Sequence, residues 1–214
     1  MKKLFLSLSV LSVVFFAISA FYPHPQSAAI EVPKPGSGAE LTKWEVDKAH
    51  SNVKFSVTHM VISEVEGNFK NFSGTVEHSK ADFSDAKINF TIEVASVDTD
   101  NEKRDGHLKS PDFFDAAKYP QMKFVSASFR PLGGNKYELN GNLTIKDVTK
   151  PVKFDVTYGG KVTSQGKLKS GFKATASIDR FDYNLKWSAA TETGGLVVSK
   201  QVDISINAEF VQVQ

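Results

Sequence analysis

Apolar and polar residues alternate in one segment after another of this 214-residue chain. In the segment 53–58, for example, Val53, Phe55 and Val57 alternate with a lysine, a serine and a threonine. A period of two places every second side chain on one face of a β-strand, so each segment predicts a strand with one apolar and one polar face. The same pattern occurs at 87–94, 137–145, 152–158, 172–178 and 201–210, and more weakly at 65–76 and 121–129.

The apolar faces of about eight such strands must be buried, either between two stacked sheets or inside one sheet that closes into a barrel. Alternation alone does not decide between the sandwich and the barrel. The sequences Gly133-Gly134-Asn135 and Gly159-Gly160 have the composition of turns and are predicted to separate strands. The chain is therefore expected to be an all-β, antiparallel protein.

The segment 96–119 breaks the alternation and has two signals of helix initiation. Thr99 followed by Glu102 fits a capping box, in which Thr99 would be the N-cap. Ser110-Pro111 predicts a second helix start, with proline at the first helical position. We therefore expect a short helical excursion between two strands, covering one end or one side of the sheet.

The first forty residues have a different character from the rest. Lys2 and Lys3 precede an apolar run that ends in small residues, which predicts a signal peptide over 1–20. The run is nearly long enough to cross a bilayer, so an uncleaved anchor is the alternative. Residues 21–40 are rich in proline and glycine and predict a disordered tether, followed by one domain over 41–214. The expected location is the periplasm or the exterior of the cell.

The charge balance bears on the partners of the exported chain. The formal net charge is +2, from 26 basic and 24 acidic residues, and Lys2 and Lys3 of the leader account for that excess. A neutral mature chain lacks the basic surface that a nucleic-acid partner requires. The chain also has no cysteine, so neither disulfides nor thiol catalysis are expected.

The sequence offers no convincing set of catalytic or metal-binding residues. It contains neither a Gly-x-Ser-x-Gly nucleophile motif nor a glycine-rich phosphate loop. His50 and His59 lie about 30 Å apart in an extended strand, and Asp105 with His107 supplies fewer ligands than zinc requires. We expect no catalytic residue, no metal and no cofactor, and we keep an enzyme acting on a lipid or small molecule as the alternative.

A series of short motifs runs through the domain. They are Trp-Glu-Val-Asp at 44–47, the segments 49–51, 53–60 and 65–69, Ser-Val-Asp-Thr at 96–99, Arg-Asp-Gly-His-Leu-Lys-Ser at 104–110, and the segments 112–115, 118–120, 141–145, 148–152 and 178–180. Together these motifs resemble the YceI-like family of periplasmic lipid-binding proteins over essentially the whole domain. Two positions depart from the family pattern: Asn184 stands where glycine is usual, and Lys146-Asp147 replaces a step that often contains glycine. Asparagine tolerates left-handed backbone, so the turn at Asn184 is expected to survive.

The resemblance implies an eight-stranded, lipocalin-like antiparallel β-barrel with an elongated apolar cavity. In that family the cavity holds a long-chain amphiphile, such as a polyprenyl phosphate or an isoprenoid quinone. The alternative is a solid core, because inward phenylalanines usually fill a small barrel. Combined with the alternation, the resemblance predicts a cavity wall formed by Phe55, Val57, Phe90, Ile92, Phe124, Leu139, Leu143, Phe154, Val156 and Phe172.

The sharpest polar cluster lies in the excursion, at Arg104, Asp105 and His107. Arg104 and Asp105 could hold the excursion against the barrel wall through charge-assisted hydrogen bonds. Alternatively, Arg104 or His107 could contact the polar head of a ligand. A carrier of this kind is expected to contact membranes transiently, and the sequence leaves its oligomeric state open.

Overall fold

The computed structural model describes residues 40–190 and 196–213, and the predicted signal peptide and nearly all of the predicted tether lie outside these ranges. The described residues form eleven strands and one α-helix, α1 (Glu102–Lys109). The strands are β1 (Thr42–Val46), β2 (Asn52–His59), β3 (Ser63–Phe69), β4 (Phe72–His78), β5 (Lys87–Glu93), β6 (Val97–Asp98), β7 (Gln121–Gly133), β8 (Lys136–Ile145), β9 (Val148–Ser164), β10 (Lys167–Asp179) and β11 (Gln201–Val213).

The sheet closes on itself as an antiparallel β-barrel. Its strands follow the order β1-β4-β5-β7-β8-β9-β10-β11, and β11 pairs with β1 to complete a ring of eight. Closure leaves no free edge in the ring, and it decides between the two arrangements that alternation left open. The predicted eight-stranded antiparallel fold is confirmed.

The strand β11 is long enough to pair with two partners on the same side. Its final residues pair with β1, and its first half pairs with β2, from Asp203↔Ser56 to Asn207↔Asn52. Strands β3 and β6 extend this second part of the sheet. The weak strand predicted over 65–76 is therefore two strands, β3 and β4, interrupted at residues 70–71.

The two glycine-rich sequences have different roles in the barrel. Gly133 and Gly134 both have positive φ, of 108° and 56°. Gly134 lies in the predicted turn between β7 and β8, and Gly133 is the last residue of β7. The prediction for Gly159-Gly160 was wrong, because this pair lies inside β9. There the register against β10 shifts by one residue beside Gly171, which is a β-bulge, and Gly160 has a φ of 104°.

The excursion contains one helix where two were predicted. Asn101, not Thr99, is the N-cap of α1, and its side-chain oxygen accepts a hydrogen bond from the Arg104 amide at 3.0 Å. Ser110 ends that helix, and residues 111–119 form turns. Asp115 has a left-handed φ of 52°, which a second helix would not permit.

The loop 79–86, which joins β4 to β5, closes one end of the barrel, here called the plugged end. Phe83 of this loop is only 2% exposed and packs edge-on against Tyr158 and Phe172. The Asp85 carboxylate accepts hydrogen bonds from the Ser79 hydroxyl and from the amides of Ser79 and Lys80. These bonds, led by the one from the Ser79 hydroxyl, lower the pKa of Asp85 to about 2.

Candidate ligand-binding cavity

A cavity of about 390 Å³ lies inside the barrel. Its volume is within the range of roughly 300–1,000 Å³ that small-molecule sites usually have. All ten residues predicted for the wall line this cavity: Phe55, Val57, Phe90, Ile92, Phe124, Leu139, Leu143, Phe154, Val156 and Phe172. Their role in ligand binding remains a prediction, while their position around a single interior space is a finding.

Glycines on neighbouring strands explain why the inward phenylalanines do not fill the barrel. Gly74 is the cross-strand partner of Phe90, and a Cβ at Gly74 would lie 2.6 Å from Cε2 of the Phe90 ring and still closer to Cδ2. Gly67 is likewise the cross-strand partner of Phe55, and a Cβ at Gly67 would lie 2.7 Å from Cε1 of the Phe55 ring. Each ring therefore lies over a glycine, against the wall, and the interior stays open.

The Phe124 ring lies in the same way over Gly141. A Cβ added at Gly141 would lie 2.7 Å from Cε2 of that ring, still closer to Cζ, and 2.6 Å from the Val125 carbonyl oxygen. The sequence contained this signal, since each of the three glycines stands at an inward position of an alternating segment. The solid core that the sequence left open is not the structure of this barrel.

The cavity reaches the surface at the end opposite the loop 79–86. Lining residues near that loop, such as Phe83 and Phe210, are buried. At the other end several lining residues are only partly buried, and five of these define what we call the mouth. The mouth residues are His59, Val65, His107, Trp187 and Val197.

The ionisable residues that line the cavity all have basic side chains. Lys54 and Lys123 are exposed, and the alternation of their strands directs them outward. His59, Arg104, His107 and Arg180 lie toward the mouth, and no acidic residue is found among the lining positions within 40–190 and 196–213. The electrostatics of this end therefore favour an anionic or electron-rich group.

Arg180 is a residue whose role sequence reasoning missed. Its guanidinium is 3% exposed and donates hydrogen bonds to the carbonyl oxygens of Leu185, Trp187, Val198 and Ser199, at 2.5 to 3.1 Å. Burial lowers the pKa of Arg180. The residue holds the segments after β10 and before β11 together across the mouth, and Asn184 in this region has the predicted left-handed φ, at 59°. No spacing in the sequence indicates this set of carbonyl partners.

Arg104 and Asp105 both bind Thr99, just after β6. The Asp105 carboxylate accepts hydrogen bonds from the Thr99 amide, at 2.9 Å, and from its hydroxyl. The Arg104 guanidinium donates to the Thr99 hydroxyl at 2.7 Å and to the Thr99 carbonyl at 2.6 Å. The geometry thus includes the predicted anchoring bonds, made to the chain beside β6, while Arg104 also lines the cavity.

His107 lies in an aromatic group at the mouth. Its ring meets Phe113 and Trp187 edge-on, with centroids 5.0 and 5.2 Å apart, and its Nε2 is 3.1 Å from a carboxylate oxygen of Asp112. Trp187 had no signal in the alternation, because it lies in an irregular segment. These contacts hold His107 beside the cavity opening.

Outside the barrel, Asp47, His50 and Glu209 bring ligand atoms within 4.8 Å of one another. The Lys169 ammonium lies 2.7 Å from Glu209 and 3.4 Å from Asp47, so this cluster already contains a positive charge. The hydrogen bond between Asp47 and His50 is the main cause of the lowered pKa of Asp47.

Over the residues described, no helix has the length and apolar character needed to cross a membrane.

A closed antiparallel barrel around an apolar cavity with a basic mouth defines the class of lipocalin-like, hydrophobic-ligand-binding barrels. Residues 44–210 match the family model described as the YceI-like domain. The chain belongs to the YceI-like family, as its motifs indicated.

Relatives with known sequences or structures agree with this assignment. A UPF0312 protein of Staphylococcus aureus is 37% identical over 172 residues, covering 79% of this chain and 98% of that protein. The structure of BcnA from Burkholderia cenocepacia is 32% identical with a TM-score of 0.68, covering 77% of this chain and 98% of that chain. A polyisoprenoid-binding domain from Saccharophagus degradans, implicated in plant cell wall breakdown, shares the fold with a TM-score of 0.56 and 16% identity. That match covers 78% of this chain and 97% of that chain.

Proposed function

We propose that this protein binds a polyisoprenoid, such as a polyprenyl phosphate or an isoprenoid quinone, inside the barrel for storage or transport in the cell envelope. The observation that carries the proposal is an interior cavity whose wall is apolar everywhere except at a basic mouth. The description of the Saccharophagus degradans domain as polyisoprenoid-binding supports the same ligand class.

The polarity of the cavity sets the orientation of the ligand in this proposal. The apolar tail points toward Phe83 at the plugged end, where the transfer of each methylene out of water contributes about 0.8 kcal/mol. The polar head stays near Arg104 and His107, whose remaining N–H groups can donate to phosphate or quinone oxygens. The proposal thus keeps the head-group role predicted for Arg104 and His107, and the buried positive charge of Arg180 adds to the potential that favours an anionic head group.

The protein acts as a binder rather than a catalyst in this account. The described lining supplies imidazole and guanidinium groups without a carboxylate or a hydroxyl, so the acid, base and nucleophile sets of hydrolases are not assembled there. We also propose that the predicted signal peptide directs export of the protein to the periplasm or the exterior of the cell. That location would place the binder beside the membranes that contain polyisoprenoids.

Mass spectrometry of an organic extract of the natively purified protein tests this function. We expect a prenyl lipid in the wild-type extract and none from a Phe90→Asp variant, because an unpaired charge on the inner wall is costly to bury and repels an apolar chain. Val125→Asp is the matched control, since Val125 lies on the adjacent strand β7 but is 52% exposed. A wild-type extract that contains no prenyl lipid would contradict the proposal. So would a Phe90→Asp variant that retains as much lipid as the wild type.

A further inference from the structure

The turn between β2 and β3 exposes three consecutive large apolar side chains. Met60, Val61 and Ile62, here called the tip, are 46%, 78% and 87% exposed. Other exposed large apolar residues of the described chain, such as Leu132 and Val162, stand alone in the sequence. Contiguous apolar exposure of this kind marks a contact surface, whereas single exposed apolar residues need no explanation.

The backbone of the tip shows that these residues do not serve the turn itself. Met60 and Val61 have left-handed φ angles of 50° and 66°. A β-branched residue such as valine is strongly disfavoured in this region, which glycine or asparagine adopts readily. Two-residue and three-residue hairpin turns normally use those residues for that reason. The apolar side chains at the tip therefore cost folding stability, which indicates a function outside the folded chain.

The tip is continuous with the mouth of the cavity. His59, which immediately precedes it, lines the cavity and bridges to Val198, another lining residue. The Met60 amide donates a hydrogen bond of 2.8 Å to the carbonyl oxygen of Val197. Whatever covers the tip must therefore lie directly beside the opening of the cavity.

The acidic residues that follow the tip oppose the attraction of the basic mouth for an anionic surface. Glu64 and Glu66 follow the tip on β3, and both are exposed. They would repel an anionic surface, and three side chains bury far less than the roughly 1,200 Å² of a stable protein interface. Insertion into the interfacial region of a zwitterionic bilayer needs neither positive charge nor a large area.

We propose that the tip inserts into the surface of a lipid bilayer and holds the mouth against it during loading and release. This inference rests on the proposed function, because it gives the bound lipid a path between membrane and cavity that avoids water. Attachment through apolar side chains makes the contact independent of salt and of anionic lipid, unlike binding through a polybasic segment. Trp187 at the mouth, with its apolar ring and polar N–H, suits the same interface.

The test compares Val61→Asn/Ile62→Ser with a matched control, Leu132→Asn/Val162→Ser. Leu132 and Val162 are 53% and 61% exposed, and they lie next to the turns of the plugged end. The protein is isolated from its cells in its natural form. Three quantities are measured: sedimentation with phosphatidylcholine vesicles, the transfer rate of a fluorescent prenyl lipid from those vesicles, and equilibrium binding of the same lipid delivered by cyclodextrin.

We expect the tip variant to lose about tenfold in vesicle binding and in transfer rate, as the loss of one or two buried aliphatic side chains implies. Its cyclodextrin-delivered binding should equal that of the wild type, and its unfolding midpoint should not fall, since asparagine suits the left-handed position. The control variant should match the wild type in every measurement. Added salt or phosphatidylglycerol should leave wild-type vesicle binding unchanged.

Equal transfer by the tip variant and the wild type would overturn the inference while leaving the proposed function intact. A tip variant that changes the molecular mass in solution but not vesicle binding would also overturn it, by showing that the tip contacts a second copy. Failure of the wild type to bind lipid even from cyclodextrin would instead contradict the proposed function itself.

Discussion

Three phenylalanines of the cavity wall, Phe55, Phe90 and Phe124, each lie over a glycine on a neighbouring strand. The Phe90 ring lies over Gly74 and stacks on Phe72 of the same strand, with ring centroids 5.6 Å apart. An inward methyl group at Gly74 would occupy the place of the ring, which could move only toward the cavity. The open interior is thus set by single glycine positions as much as by the large residues.

Gly74→Ala should therefore fold but lose part of its ligand capacity. Displacing the Phe90 ring in a packed wall should lower the free energy of unfolding by about 1–3 kcal/mol. The double variant Gly74→Ala/Phe90→Leu should recover much of the stability and binding, because the smaller side chain leaves room for the methyl group. Denaturant unfolding and lipid titration of all three proteins measure this; full binding by Gly74→Ala alone would contradict it.

Arg104 allows a test that separates its two predicted roles. Arg104→Ala should lower the free energy of unfolding of the ligand-free protein by about 1–3 kcal/mol, because it removes charge-assisted bonds to Thr99. If the Arg104 side chain also contacts the head group, the variant's affinity for a prenyl phosphate should fall more than its affinity for the uncharged prenyl alcohol of equal length. Thermal unfolding and paired titrations distinguish the cases, and a variant unchanged in both would refute both roles.

At the scale of elements, the alternating pattern predicted most strands of the ring, because a half-buried strand imposes period two on its sequence. It failed where tertiary contacts outweighed local signals. Gly159-Gly160 resembles a turn, yet pairing with β10 keeps both residues in a strand as a bulge. Ser110-Pro111 resembles a helix start, but the chain there instead folds so that Phe113 and Phe114 both reach the cavity.

The plugged end gives an element-scale prediction about pH. The Trp44 indole donates to Nε2 of His78 at 2.9 Å, and His78 Nδ1 lies 2.8 Å from the Lys80 carbonyl, which fixes a neutral imidazole. Burial is the main cause of the lowered pKa of His78, and the nearby Lys161 ammonium adds to it, while the Lys80 bond and Asp85 oppose it.

Because the folded-state pKa of His78 lies below its unfolded value, its stabilising contribution is complete above about pH 6.5 and falls as the pH drops further. Stability measured by urea unfolding should therefore decline as the pH falls below about 6.5 in the wild type. His78→Gln, which keeps a donor and an acceptor but does not titrate, should decline less. Parallel curves for the two proteins would show that His78 does not cause the decline.

At the scale of the whole molecule, the sequence could not decide between a sandwich and a barrel, because both bury one face of every strand. Only the pairing of β1 with β11, which joins the two ends of the domain, makes that decision. The sequence likewise did not decide between a cavity and a solid core, since the number of phenylalanines does not reveal how their rings are oriented. The residues of the wall could be predicted, but Arg180 and Trp187 at the mouth could not, because their segments have no period.

The proposed function requires an apolar chain to occupy the barrel. Titration of the protein with prenyl lipids that share one head group and increase in chain length tests this requirement. Each buried methylene contributes about 0.8 kcal/mol, a gross factor of about four in affinity, which chain ordering reduces. We predict that affinity rises with chain length and reaches a plateau once the cavity is full. Affinity that is independent of length, or binding restricted to short polar compounds, would contradict it.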